Sequence, residues 1–242
     1  MTNVEIKNLA READWDRYIA SLFMLEAVQP HVWALLSFSG DVAAIQRKVS
    51  EPAIGEIRLQ WWHDTLGAIA QGDQPDHPVA TALSAAISAH NLPIAPLQAL
   101  VDAHRFDLYA DVARSWTEVE GYLGETEGLL FQLTALILNP NEAPKAAEAS
   151  GFAGVALGLA RTSLNPALRA KLTPEGATDA DFVNRAQQRR NEAELAISKL
   201  PKELFGSYLP LATASLYLNS QKAPSRLRKQ WAIWRAARRE KI

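Results

Sequence analysis

The run DAHRFDLYAD sets Asp102, Arg105, Asp107 and Asp111 within one short segment. On a helix, Asp107 and Asp111 share a face at i,i+4, and Asp102 and Arg105 are spaced to pair at i,i+3. Carboxylates four apart are the hard oxygen ligands with which helical enzymes hold Mg²⁺ against a diphosphate. The commoner meaning of such a run is a solvated acidic face with one ion pair, and the sequence offers no second acidic cluster to complete a clamp. Asp179 and Asp181, in the loop TPEGATDAD (Thr173 to Asp181), read as an N-cap for the helix that follows.

Other chemistries find less support. The five histidines, His31, His63, His77, His90 and His104, include no pair three or four apart, the spacing that puts two metal ligands on one helix face. They read as separate surface or capping residues, and no metal ligand set is assigned. Without cysteine there is no thiolate site or disulfide. Neither a glycine-rich phosphate loop nor a GxSxG elbow is present.

EPAIGEIRLQWWHDTL, Glu51 to Leu66, places Trp61 and Trp62 side by side near Arg58, His63 and Asp64. Successive residues of a helix point about 100° apart, so one apolar stripe does not hold both rings. The two tryptophans are expected to be anchors in different inter-helix grooves. Arg58, four positions before Trp62, is spaced to stack on it. Asp64, three after Trp61, is spaced to fix that ring's N–H. These roles are structural rather than catalytic.

The elements that must position these groups are helical nearly throughout. Segments rich in alanine and leucine predict helices near residues 11–24, 28–49, 53–71, 78–90, 94–111, 116–138, 142–164, 179–199, 203–219 and 225–239. Breakers separate them: Pro30, Pro52, GDQPDHP, Pro93, Pro96 and NPNEAP. Pro52 and Pro78 sit where a helix begins and a missing N–H costs least. Ser115 is placed to cap the Trp116 helix, with Glu118 completing a capping box. Alternating β-branched runs are absent. Trp33–Phe38, Leu129–Leu138 and Phe152–Leu159 are apolar on more than one face, which fits a layered bundle with central helices. The expected fold class is all-α: one domain over residues 1–242, a bundle of about ten helices with its core near 14–200 and its softest internal boundary at Thr173–Asp181.

Of the 242 residues, 48% are apolar and 21% charged, enough to bury a sizeable core. A net charge of −2 carries no signature of nucleic-acid binding. The polar, acidic start MTNVEIKNLAREADWDRY lacks a secretory pattern, and no run of about 18 apolar residues occurs, so a cytoplasmic chain is expected. The end is different. In SRLRKQWAIWRAARREKI, Leu227, Trp231 and Trp234 recur at helical spacing among Arg226, Arg228, Lys229 and Arg235. Such a helix either docks through its stripe, the commoner fate, or lies peripherally on an anionic membrane such as the inner membrane.

The order of these segments resembles the squalene/phytoene synthase family. DWDRYIASLF, VWALLSFSGDVAAIQ and EPAIGEIRLQWWHDTL are similar to its N-terminal half, the IRLxWW stretch most specifically. EGYLGETEGLLFQL, with Tyr122, resembles its tyrosine-containing helix, and GFAGVALGLARTSL, ending near Arg161, the helix of its second motif. The resemblance covers about residues 14–172 and implies an isoprenoid (terpenoid) synthase-like fold. Enzymes of the family join two prenyl diphosphates head to head, with two DxxxD motifs holding Mg²⁺.

The positions matching those motifs here are Ala43 and Arg47 in the first and Thr162 and Pro166 in the second, with Asp41 the only acid near the first. An aspartate-lacking branch of the family, resembling the mitochondrial complex I assembly factors with a squalene/phytoene synthase-like domain, retains IRLQWW as this chain does. The resemblance therefore implies a catalytically degenerate protein that binds or assembles, with a protein or an apolar prenyl lipid as partner and no cofactor. The alternative is an Mg²⁺-dependent head-to-head prenyl transferase with altered ligands, in which Asp41, Asp107 and Asp111 line one cavity and Arg161 and Tyr122 meet the substrate.

Overall fold

The computed structural model describes residues 3–109, 111–220 and 222–242, and every regular element among them is helical. The contacts divide the chain into two compact units, with the boundary after Ala110. The loop Thr173–Asp181, expected as the softest boundary, lies inside the second unit.

The first unit begins with α1 (Asn3–Ala13) and α2 (Trp15–Ser21), separated where the Asp14 carboxylate accepts from the amides of Asp16 and Arg17 at 3.1 and 3.0 Å. This cap splits the helix predicted over 11–24. The first half of α1 was not foreseen, although Ile6 and Ala10 bury one side of an otherwise polar segment. α3 (Gln29–Ala43) packs on α1 where Gly40 leaves no room for a side chain beside the Ala13 Cβ, and Ser37 Oγ donates to the Ile6 carbonyl at 3.1 Å. After the short α4 (Ile45–Lys48) come α5 (Pro52–Ala70) and α6 (Pro78–His90), each with proline in its first turn as the sequence indicates. α6 packs on α3, and α5 packs on α7 (Ile94–Ala103) and α8 (Arg105–Leu108).

In the second unit, the helix predicted over 116–138 is a rod with one irregular turn: α9 (Trp116–Leu123), a π turn over Gly124–Gly128, then α10 (Leu129–Leu138). Ser115 caps α9 by accepting from the Glu118 amide at 3.2 Å, while the Glu118 carboxylate turns to the amide of Arg114 at 2.7 Å. A 3₁₀ turn, Ala143–Ala146, leads into α11 (Ala147–Thr162), the most buried helix of this unit. α11 packs on α13 (Asp179–Ile197), and Pro166, expected to break a helix, opens the short α12 (Pro166–Leu172). The cap of α13 is Thr178, with Asp181 closing a capping box; Asp179, expected in the cap, is the first helical residue.

The region predicted as one helix over 203–219 is broken into a 3₁₀ turn (Lys202–Leu204), α14 (Phe205–Tyr208), a second 3₁₀ turn (Leu209–Thr213) and α15 (Ala214–Leu218). Pro210 lacks the amide a continuous helix needs there. Within the core, Tyr208 stacks on Phe131 with ring centroids 5.7 Å apart and planes 7° apart. The chain closes with α16 (Arg226–Arg239), within a residue of expectation at its start. Among the described residues no helix is long and apolar enough to cross a membrane.

Candidate functional site

The paired tryptophans of α5 take unequal places. Trp62 is 4% exposed and meets Phe38 of α3 edge-on at 5.0 Å, whereas Trp61 is 44% exposed. The two rings are not anchors in separate grooves: they touch edge-to-face at 5.0 Å and 73°. His77, at the N-cap position of α6, stands against both, at 5.3 Å from Trp61 and 5.4 Å from Trp62. Its Nε2 lies 4.0 Å from Asp41 Oδ2, and Asp41 Oδ1 is 3.5 Å from Lys48 Nζ.

The neighbours expected for the tryptophans go elsewhere. Asp64 accepts from Gln60 at 2.8 Å rather than from Trp61, because both polar side chains lie one turn apart on the exposed side of α5. Arg58 is exposed, and among the described residues no ring or carboxylate meets its guanidinium.

That side of α5 is held by α7 and α8. Arg105 reaches Glu56, Gln60 at 3.0 Å and, as its spacing indicates, Asp102 at 3.2 Å. Asp102 is also 3.8 Å from His63. Tyr109 donates to Glu56 at 3.0 Å, a bond that with the nearby carboxylate charge pushes its phenol pKa above the ordinary value.

Asp107 is buried beside His104, with 2.6 Å between Nδ1 and Oδ2. It does not share a helix face with Asp111: α8 stops at Leu108, whose side chain fills the space a Cβ on Gly55 would need, and Tyr109 is extended. Asp111 is exposed beyond that break. The histidines are not all separate either. His31 and His90, on packed helices α3 and α6, lie 2.7 Å apart between Nδ1 and Nε2. Burial pushes both imidazole pKa values down, and at His90 the neighbouring His31 adds to it.

As placed, these carboxylates do not fit a divalent metal. Asp41 faces Lys48 and His77, Asp102 faces Arg105 and His63, and Asp107 faces His104. Among the described residues there is no group of three His, Cys, Asp or Glu able to hold a metal ion.

In the second unit Arg161 meets the π turn through its side chain and Tyr122 through its backbone carbonyl. Arg161 Nη1 of α11 is 3.4 Å from Glu127 Oε2, and the Thr126 hydroxyl donates to the Tyr122 carbonyl at 2.8 Å. Helix α11 reaches the turn through Gly154 and Gly158, where an added Cβ would strike the Gly128 backbone and the Leu123 side chain respectively. Thr162, expected at a position of the second motif, is buried.

Ser225 caps α16, accepting from the Arg228 amide at 3.4 Å. The helix docks on the Leu209–Thr213 turn, and its buried residues are Ile233 and Ala236 rather than the stripe read from the sequence. Leu227, Trp231 and Trp234 remain 78%, 60% and 36% exposed. Trp231 and Trp234 stack on each other at 4.7 Å and 22°, and the Arg238 guanidinium sits over Trp234 at 5.2 Å. Sequence spacing alone did not reveal His77, Lys48 or the His31–His90 pair, whose partners come from other helices. The Pro-Asp-His-Pro stretch preceding α6 was the one local hint of His77's capping position.

The family model for squalene/phytoene synthase matches residues 10–163. The chain is 31% identical over 190 residues to NADH dehydrogenase (ubiquinone) complex I, assembly factor 6, of Homo sapiens, a match covering 75% of this chain and 57% of that protein. The chain thus spans little more than half the length of that relative. Among solved structures, squalene synthase HpnC from Alicyclobacillus acidocaldarius superposes with a TM-score of 0.72 at 20% identity, covering 98% of this chain and 93% of its own. A dehydrosqualene synthase solved in complex with ligand gives a TM-score of 0.80 at 12% identity, covering 98% and 95%. At such identities the fold is what is shared: the all-α isoprenoid synthase fold.

Proposed function

Given that the chain belongs to the squalene/phytoene synthase family, we propose that it is a catalytically degenerate member that works as a binding and assembly factor, with respiratory complex I as the assembly it serves. The observation that carries this reading is the engagement of the acidic side chains. Asp41, Asp102 and Asp107 each lie beside a cation or a histidine. A diphosphate leaving group concentrates negative charge that the family's enzymes neutralise with carboxylate-held Mg²⁺, and such electrostatic stabilisation is usually the largest catalytic term. Ala43, Arg47, Thr162 and Pro166 occupy the family's motif positions and offer no carboxylate.

Under this reading the partner is a protein, and an apolar prenyl lipid is the ligand the inherited fold would accept. The exposed Leu227, Trp231 and Trp234, flanked by Arg226, Arg228, Lys229 and Arg235, support peripheral contact with an anionic membrane, on the cytoplasmic face of the inner membrane.

The test is Mg²⁺-dependent release of pyrophosphate from farnesyl and geranylgeranyl diphosphate. No release above the protein-free blank is expected. Saturable release abolished by Asp41→Ala or Asp107→Ala would assign the head-to-head transferase instead. Disrupting the gene in its host is expected to lower assembled complex I, and unchanged assembly would refute the assembly role.

A further inference from the structure

A concavity of about 500 Å³ opens between α13, α15 and α16, entirely within the second unit. Arg190 lines it from α13, Arg228, Arg235 and Arg239 from α16, and Lys241 from the chain beyond, with Trp231 completing the wall. No side-chain carboxylate lines it. Arg190 is tied to Glu194 at 2.7 Å, but Arg228, Arg235 and Arg239 meet no carboxylate among the described residues.

Elsewhere in this unit several arginines are neutralised. Arg161 pairs with Glu127, Arg169 with Asp179, and Arg185 and Arg189 both with Glu120. In a chain of net charge −2, gathering several cations with no side-chain carboxylate among them is a local departure that costs self-repulsion. A bound anion relieves it. Most of this charge comes from α16 and Lys241 just beyond it, and the tertiary fold adds Arg190 from α13 across the concavity. Guanidinium forks match the several oxygens of a phosphate with charge-assisted hydrogen bonds. The volume lies within the range, roughly 300–1,000 Å³, of pockets that hold small molecules, and leaves room for what the phosphate is attached to.

We propose that this pocket binds a phosphate group: the headgroup phosphate of an anionic lipid where α16 meets a bilayer, or the same group on a soluble ester. The lipid source rests on the membrane contact proposed above; the phosphate chemistry does not. Leu227 and Trp234, outside the lining, serve the bilayer, while Arg235 and Arg239 serve the phosphate.

Two measurements on the full chain separate these parts. Calorimetric titration with glycerol 3-phosphate reads the pocket. Sedimentation with phosphatidylcholine vesicles, with and without phosphatidic acid, reads the surface. Arg235→Ala/Arg239→Ala removes two exposed pocket cations, Arg226→Ala/Arg238→Ala removes equal charge outside the lining, and Leu227→Ser/Trp234→Ser removes the apolar face. Circular dichroism melts verify that all three fold.

Saturable glycerol 3-phosphate binding is expected, weakened about tenfold or more by the pocket pair and little changed by the other two variants. Recruitment to phosphatidic acid vesicles is expected to fall with the apolar variant, and to fall further with the pocket pair than with its charge-matched control. Binding of the soluble ester without vesicle recruitment would support the pocket with a soluble ligand and refute the membrane contact. Recruitment that falls equally in the two arginine pairs, with no soluble binding, would overturn the pocket and leave the contact standing. Absence of both would overturn both.

Discussion

Gly154 and Gly128 meet backbone to backbone: a Cβ on Gly154 would stand 2.3 Å from both the Cα and the amide nitrogen of Gly128. Alanine at 154 therefore has to push α11 away from the π turn, since no flexible side chain is there to yield. Gly154→Ala is expected to destabilise the fold by about 1–3 kcal/mol, the usual cost of overpacking. Gly151→Ala, on the same helix with nothing within 4 Å of the added carbon, is expected to be neutral or to stabilise by up to about 1 kcal/mol. Similar melting temperatures for the two variants would contradict the contact.

Tyr208 supplies a second test. Its hydroxyl is fully buried, 2.7 Å from Ser150 Oγ, and donates to the Ala146 carbonyl at 3.2 Å. Burial pushes the phenol up to about 12 against an ordinary value of 10.0, so the folded state holds its proton more tightly than the unfolded chain. The associated stability is intact below pH 10 and is lost as pH rises toward 12, by roughly 2–3 kcal/mol in all. Tyr208→Phe should cost about 1–3 kcal/mol at neutral pH through the stranded partners. It should also flatten the alkaline limb of a denaturation series; an unchanged limb would remove Tyr208 as its source.

The His31–His90 pair acts in the opposite direction. Both imidazoles have pKa values lowered from 6.5 by burial, so the unfolded chain binds protons more readily. Stability is full above pH 6.5 and falls as pH drops through the lowered values. Chemical denaturation across pH 7.5 to 5 should show this decline in the wild type and a shallower one in His90→Gln. Parallel curves would refute the coupling.

Trp62 and Trp61 should respond unequally despite being adjacent. Trp62→Ala opens a cavity beside Phe38 and is expected to cost about 3–5 kcal/mol. Trp61, almost half exposed, should cost about 1 kcal/mol, near the value of its edge contacts with Trp62 and His77. Equal losses in urea denaturation would restore the reading of two buried anchors.

Local signals were legible where local chemistry decides. Proline opens α5 and α6, Ser115 caps α9, and the amphipathic end becomes α16 within a residue of its expected start. What failed depended on contacts distant in sequence. Leu108 packs into the space at Gly55, and the chain turns extended at Tyr109, so no helix joins Asp107 to Asp111. His31 and His90 are 59 positions apart, beyond the reach of any helical spacing rule. On α16 the sequence announced an apolar stripe, but Ile233 and Ala236, small beside the tryptophans, were the ones that found a neighbour. In the candidate site the Asp102–Arg105 pair was legible from its spacing, whereas Lys48 and His77 reach Asp41 from other elements.

The π turn has a consequence for how this rod is phased. The Leu129 amide reaches back five residues to the Gly124 carbonyl, so the rod contains one residue more than regular winding would use. Each residue of an α-helix turns the chain by about 100°, and the wider π turn takes up the surplus residue, so that α10 continues on nearly the face it would have without it. α9 and α10 both touch α11, as parts of one continuous rod. Excising a single residue such as Glu125 would let the rod wind as regular α-helix with Phe131 still against Tyr208, whereas regular winding at the present length would rotate α10 by about 100° and swing Phe131 away.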